Sequence, residues 1–150
     1  MAKVTFDANI CIRYKQPFPR SFYLSAVVLQ ELVAGASDAA TLKLLERTRH
    51  EYRTLNKLLV PNEEDWWYAG VVLNALQRGR RSRKTGLIPK ISAAERSRII
   101  NDVLIARTAK RAGVMLVTDN INDFKKIRNF CDVKVISGYK YFSSRAALAD

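Results

Sequence analysis

Short apolar runs alternate with amphipathic stretches along the whole chain. Between consecutive runs lie enough residues for a helix that returns the chain to the same edge of a sheet. This alternation is typical of an α/β fold built on a parallel sheet. The predicted strands are Lys3–Phe6, Phe22–Leu24, Leu58–Val60, Val114–Val117 and Val133–Ile136.

Polar capping residues and glycines mark the ends of the predicted helices. Pro17 and Pro19 stop the first helix, and no clear pattern covers the tail from Gly138 to Asp150. The predicted helices are Asn9–Tyr14, Ala26–Ala34 between Ser25 and Gly35, Ala39–Tyr52 after Asp38, Glu63–Arg78 after Asn62, a long helix from Ser92 to Ala112 before Gly113, and Phe124–Asn129.

The size and charge of the chain limit the range of functions that it can have. Its 150 residues, 48% of them apolar, suit one globular domain spanning residues 1–150. A formal charge of +12, from 26 basic and 14 acidic residues, favours a nucleic acid or an acidic protein as partner.

Cys11 and Cys131 lie far apart in apolar sequence, which predicts reduced, buried thiols rather than a zinc site. No run is long enough to cross a membrane, so a soluble, cytoplasmic protein is expected.

Acidic residues stand where the predicted strands end. Asp7 directly follows the first strand, and Glu31 lies on the helix after the second. Asp119 and Asp123 follow the fourth strand. Because ligands of open parallel sheets bind beyond the carboxyl ends of the strands, these acids are expected to converge on one edge of the sheet.

A fifth acid is placed by helical periodicity. Asp102 lies one turn before Ala106, on a side of the long helix that Ala109 continues. This side carries small residues that suit close packing on the sheet, so the side chain of Asp102 is predicted to point inward.

Carboxylates that are buried together are costly unless a cation or a hydrogen-bonding partner neutralises them. Mg²⁺ and Mn²⁺ prefer oxygen ligands, and an ion held by carboxylates activates a water and neutralises a leaving oxygen. Together with the positive net charge, the five acids predict a metal-dependent nuclease.

Each acid also has a purely structural interpretation. Asp7 could form a strand-end turn or cap a helix, and Glu31 could lie on a helix surface. Asp123 could cap the helix that begins at Phe124, and Asp102 could pair with an arginine. The joint placement of the acids, rather than any one of them, favours the metal site. Among other notable side chains, Trp66 and Trp67 are predicted to pack in the core or at an interface, and His50 to be solvated.

Four motifs, in this order, resemble those of the PIN-domain family: VTFDANICI, SAVVLQELVAG, NDVLIARTAKRAG and VMLVTDNINDFKKI. Within that family the chain is most similar to VapC-type toxins of type II toxin–antitoxin pairs. The resemblance runs from Val4 to about Ile136. It implies a three-layer α/β/α sandwich with a central parallel sheet and a ribonuclease site dependent on Mg²⁺ or Mn²⁺.

The resemblance also assigns the site residues, with one departure. Many relatives carry an acid two residues after the strand-end threonine, and this chain has Asn120 there, flanked by Asp119 and Asp123. The number of bound metal ions therefore stays open. The implied catalytic residues are Asp7, Glu31, Asp102 and Asp123, the implied metal ligands are Asp7, Asp102, Asp119 and Asp123, and the supporting polar residues are Asn9, Thr118 and Asn120.

The resemblance further implies an antitoxin protein that covers the cleft, and a homodimer. A loop over Gln77–Ile91 is rich in basic residues and is either a contact for the RNA substrate or a solvated segment. A catalytically weak or inactive module that binds nucleic acid or protein is the alternative function. A phosphatase is disfavoured because Asn9 stands where such enzymes need a second acid. The candidate RNA contacts are Arg78, Arg80, Arg81, Arg83 and Lys84.

Overall fold

The structure is a computed structural model that describes residues 2–15 and 17–149, with side chains described as far as residue 144. The described residues form five strands and seven helices. The strands are β1 (Val4–Phe6), β2 (Leu24–Ser25), β3 (Leu58–Leu59), β4 (Met115–Val117) and β5 (Val135–Ile136). The helices are α1 (Ala8–Tyr14), α2 (Ala26–Ala34), α3 (Ala39–Thr54), α4 (Glu63–Gly79), α5 (Ala93–Ala112), α6 (Ile121–Ile127) and α7 (Gly138–Ala149).

All strand pairs are parallel. β1, β4 and β5 pair in the order β1-β4-β5, and β2 pairs with β3. A parallel bridge between Val4 and Phe22 joins the two groups, with the N–H of Tyr23 donating to the carbonyl of Val4 at 2.8 Å. The strands therefore follow the order β3-β2-β1-β4-β5, and the predicted α/β fold with a central parallel sheet is confirmed.

The side chains of the central strands point into two hydrophobic cores, one on each face of the sheet. Val4, Phe6 and Val117 belong to a core that includes Ile10 of α1 and Tyr52 of α3. Leu116, which points to the other face, packs in a core formed largely by α2, α4, α5 and α6. Because consecutive strand residues alternate between faces, one short strand supplies both helix layers with apolar contacts.

Local capping chemistry determines most helix ends as predicted. The Ser92 hydroxyl accepts a hydrogen bond from the N–H of Glu95 at 3.1 Å, which satisfies a donor in the first turn of α5. Asn62 and Asp65 form a reciprocal capping box at the start of α4. Gly113 ends α5 with φ of 66°, a left-handed conformation that glycine adopts without a steric penalty.

Two predictions about elements are wrong in detail, and one helix was not predicted. α6 covers Ile121–Ile127 rather than Phe124–Asn129, and its first residue follows Asn120, whose side chain makes no capping hydrogen bond. Burial of Phe124 and Ile127 stabilises this helix, and no capping hydrogen bond marks its start. β2 begins at Leu24 instead of Phe22, and the chain after Ser137 forms α7 although it showed no pattern.

The two tryptophans of α4 do not enter the core. Trp66 is 55% exposed and Trp67 is 73% exposed, so core packing was a wrong prediction for both. Cys131 is buried, Cys11 is half-buried and both thiols are free, as predicted. Among the described residues no helix combines the length and apolar character needed to span a membrane.

Candidate active site

The sheet order places two polar side chains next to each other at its centre. Phe6 lies opposite Val117 in the β1–β4 pair, so Asp7 and Thr118 leave the sheet side by side. From β1 the chain continues to β2 and β3 on one side, and it later returns to β4 on the other side. This reversal opens a crevice at the carboxyl ends of β1 and β4, which is the usual ligand position in open α/β sheets.

Both carboxylate oxygens of Asp7 accept hydrogen bonds. Its Oδ1 accepts the N–H of Ile10 at 3.0 Å, which makes Asp7 the N-cap of α1, and its Oδ2 accepts the hydroxyl of Thr118. Burial raises the pKa of Asp7 and repulsion from Asp119 raises it further, whereas these hydrogen bonds lower it. The capping interpretation is thus correct for Asp7. It does not exclude a ligand role, because an ionised carboxylate offers about four lone-pair sites.

Glu31 lies on α2 facing α5. It is half-buried, and Asn101 of α5 donates from Nδ2 to its Oε1 at 3.0 Å. Burial raises the pKa of Glu31, the hydrogen bond from Asn101 lowers it, and repulsion from Asp7 raises it. Glu31 is therefore held near other negative charge by a neutral donor and is not a freely solvated surface residue.

Asp102 is the most strongly perturbed acid of this group. Burial, together with repulsion from Asp123, Glu31 and Asp7, raises its pKa to about 7. The charge of Arg98 opposes it, but no salt bridge joins Arg98 to Asp102. Asp102 of α5 thus lies within electrostatic reach of Asp7, which follows β1, of Glu31 on α2 and of Asp123 on α6.

Asp119 and Asp123 have different surroundings. Asp119 accepts a hydrogen bond from Arg13 at 2.7 Å and another from the backbone N–H of Gly138 at 2.9 Å. Asp123 has only a loose ion pair with Lys126, at 3.8 Å, and it lines a cavity of about 190 Å³ together with Asp102. Of the two candidates for the fourth acid, Asp123 has the more available carboxylate.

The supporting polar residues and the candidate RNA contacts differ in burial and in hydrogen bonding. Thr118 is fully buried, and its hydroxyl also accepts the backbone N–H of Asn120 at 3.0 Å. Asn9 and Asn120 are exposed at the same edge of the sheet. Within the basic loop, Arg80 is bound by Glu95 through two hydrogen bonds of 2.6 and 3.2 Å. The other candidate RNA contacts are exposed, namely Arg78, Arg81, Arg83 and Lys84.

Sequence reasoning missed two residues that hold site acids in place. Asn101 directly precedes Asp102, so the sequence indicated that it lies near the site. The sequence did not indicate that its hydrogen-bond partner is Glu31. Arg13 lies 106 residues before Asp119, and nothing in the sequence connects them.

The chemistry of the donors fits a divalent cation. All the clustered acids offer hard oxygen atoms. Burial, with a smaller contribution from repulsion by neighbouring acids, raises the pKa values of Asp7, Glu31 and Asp102. Within the described part of the chain, no three Asp, Glu, His or Cys side chains are arranged to hold a metal ion as they stand.

A model of one protein family matches most of the chain. The PIN domain model matches residues 12–129. The chain belongs to the PIN domain family. Glu31, Asp102, Asp119 and Asp123 lie inside the matched segment of this PIN domain, whereas Asp7 lies just before it.

Solved structures share the fold at low sequence identity. The DNA-bound VapBC complex from Salmonella typhimurium matches with a TM-score of 0.54 and 19% identity, over 92% of this chain and 99% of that chain. VapBC2 from Rickettsia felis, bound to a DNA fragment from its promoter, matches with a TM-score of 0.51 and 23% identity, over 91% and 98%. No curated protein gives a significant sequence match.

Proposed function

We propose that this PIN domain is a metal-dependent endoribonuclease that hydrolyses phosphodiester bonds, and that it acts as the toxin of a VapC-type toxin–antitoxin pair. The observation that supports the activity most directly is the group of carboxylates around Asp102, where Asp7, Glu31 and Asp123 are close enough for their charges to raise the pKa of Asp102. The supporting evidence for the biological role is the shared fold with VapBC complexes.

The site residues divide into metal ligands and a base. Asp7, Asp102 and Asp123 would hold Mg²⁺ or Mn²⁺, which when bound neutralises charge on the scissile phosphate. Glu31, oriented by Asn101, would accept a proton from the attacking water. Asp119 is a weaker ligand candidate because Arg13 already neutralises it.

A partner protein is expected to cover this site. The proteins of similar fold are VapBC complexes, and a chain of formal charge +12 would attract either an acidic antitoxin segment or an RNA backbone. We further propose a homodimer in solution, for which the exposed Trp66 and Trp67 of α4 offer apolar surface.

Two observations favour a second function. Asn120 stands where an acid is usual, and the described acids do not form a ready metal site. A domain that binds RNA or protein with little or no catalysis is consistent with both facts.

Cleavage of a labelled single-stranded RNA distinguishes the two functions. We expect cleavage with Mg²⁺ or Mn²⁺, none with EDTA, and products that carry a 5′-phosphate and a 3′-hydroxyl. Asp7→Asn should lower kcat at least a hundredfold without unfolding the protein, because asparagine also caps a helix.

The matched control is Asp132→Asn, at an exposed acid that pairs only loosely with Arg128 at 3.5 Å. It should cleave as the unmodified protein does. Equal cleavage by Asp7→Asn, or products that end in a 2′,3′-cyclic phosphate, would contradict the proposed mechanism.

A further inference from the structure

A charged cleft continues from the acidic cluster towards the start of α5. Asp102 and Asp123 line it together with Arg98 of α5 and Lys126 of α6. Glu95 lies seven residues before Asp102 on the same side of α5, about 10 Å along the helix axis. The cleft therefore reaches well beyond the acids themselves.

The cations of this cleft come from two different helices, α5 and α6. Arg98 makes no hydrogen bond or salt bridge with any described side chain, and Lys126 reaches Asp123 only at 3.8 Å. Both are close enough to Glu95 for their positive charges to lower its pKa, after the larger effect of the hydrogen bond from Arg80. Two weakly paired cations thus approach one small volume from two helices.

The lining of the cleft also includes apolar side chains. Ile99 of α5 and Ile127 of α6 line the same cavity as Arg98 and Lys126. A backbone phosphate matches the charge of the two cations, and the C–H groups of its sugar can contact the isoleucines. Arg80 does not supply a third open cation, because Glu95 binds it through two hydrogen bonds.

We propose that Arg98 and Lys126 form a binding subsite for the backbone phosphate of single-stranded RNA that neighbours the phosphate to be cleaved. The subsite rests on the proposed nuclease function, since the acids at one end of the cleft define the cleavage position. Arg98 lies one helical turn from Asp102, which puts the bound phosphate next to the acidic cluster.

A pair of double variants tests the subsite. R98Q/K126Q removes both cations, whereas R96Q/K125Q removes the same charge from the same two helices at exposed positions that do not line the cleft. Affinity for a fluorescein-labelled single-stranded RNA of twelve nucleotides is measured by anisotropy in EDTA over a series of NaCl concentrations. Circular dichroism checks that both variants unfold at the same temperature as the unmodified protein.

R98Q/K126Q should weaken binding about tenfold. It should also reduce the slope of log affinity against log salt concentration by about 0.7, because one phosphate is no longer neutralised by the protein. R96Q/K125Q should change the affinity less than twofold. With Mn²⁺ present, R98Q/K126Q should raise KM more than it lowers kcat, because it removes binding energy and not the reacting groups.

Equal reductions of affinity in the two double variants would overturn the subsite. Tighter binding of a glutamate-rich peptide than of RNA, abolished by R98Q/K126Q, would overturn it too by assigning the cations to a protein partner. RNA binding that depends on Arg98 and Lys126 in a protein that cleaves no RNA with Mn²⁺ would support the subsite and contradict only the nuclease activity.

Discussion

At the scale of single residues, the site is built from side chains that serve the fold and the chemistry together. Asp7 caps α1 and accepts the hydroxyl of Thr118, yet it also lies among the repelling carboxylates. Such a residue carries two separable properties. One oxygen stabilises the helix as a hydrogen-bond acceptor, and the negative charge is available to a cation, so an isosteric amide keeps the helix cap and removes the charge.

Asn101 offers the sharpest test at this scale. Asn101→Ala should lower kcat about tenfold with little change in KM, because the hydrogen bond to the charged Glu31 contributes roughly 1.5–3 kcal/mol. Single-turnover and steady-state cleavage assays measure the effect. Ser97→Ala, at an exposed position on the same helix, is the control, and an equal kcat in the two variants would show that Asn101 does not orient Glu31.

At the scale of elements, a buried ion cluster ties α4 to α5. Asp65 is fully buried and accepts hydrogen bonds of 2.9 Å from both Arg107 and Arg111 of α5. The guanidinium of Arg107 also lies 4.4 Å from the ring centre of Tyr68. Burial raises the pKa of Asp65, but hydrogen bonds from Arg111, the Asn62 backbone and Arg107 outweigh it and bring the pKa to about 2.

Unfolding at acidic pH should reveal how much this ion cluster contributes to stability. Because the pKa of Asp65 in the folded protein lies below its ordinary 3.8, its contribution is complete above about pH 4 and is lost as the pH falls towards 2. The loss should amount to about 2 kcal/mol in urea titrations across that range. Asp65→Asn should be less stable at pH 7 by about 3–5 kcal/mol and should show a shallower decline. The same decline in both proteins would contradict this role.

The start of α7 is a second contact between elements, and it limits side-chain size. A Cβ atom at Gly138 would lie 2.6 Å from the Tyr14 ring and 2.7 Å from Ile10 of α1. The backbone N–H of the same residue binds Asp119. Glycine therefore allows α7 to approach α1 and the site closely.

Gly138→Ala should cost about 1–3 kcal/mol of unfolding free energy, since neither neighbour can move without disturbing its packing. Gly70→Ala, in the middle of α4 with no atom within 4 Å of the new Cβ, should instead stabilise the protein by about 0.5–1 kcal/mol. Urea denaturation measures both. A Gly138→Ala protein as stable as the unmodified one would show that α7 tolerates displacement.

At the scale of the whole molecule, charge and topology have separate roles. The strand order β3-β2-β1-β4-β5 collects the acids at the centre of one sheet edge. The chain as a whole nevertheless carries a formal charge of +12. Such a distribution attracts a polyanion from a distance and leaves a negatively charged centre where a divalent cation can bind.

The exposed part of the basic loop should contribute to this long-range attraction. Arg81→Ala with Arg83→Ala should weaken RNA binding and reduce its salt dependence, as measured by anisotropy over a NaCl series. Arg47→Ala with Arg49→Ala on α3 carries the same charge change and should have a smaller effect. Equal effects would indicate that only the net charge matters and that the loop is not an RNA contact.

The candidate site was partly predictable from the sequence. Asp7, Glu31 and Asp102 could be anticipated because strand ends and helical periodicity are local patterns. The fourth acid could not be chosen in advance, since the choice depends on Arg13 and Gly138, which are distant in sequence from Asp119. The exposure of Trp66 and Trp67 was likewise undecidable, because an apolar stripe does not reveal whether another element covers it.

The sequence by itself determined the helix caps, the parallel α/β class and the positions of the acids along the chain. These depend on hydrogen bonds and periodicities that span a few residues. Only the tertiary structure decided the start of α6, the existence of α7 and the pairing of Asn101 with Glu31. Those features come from contacts between distant segments, whose free energy exists only once the sheet has brought the segments together.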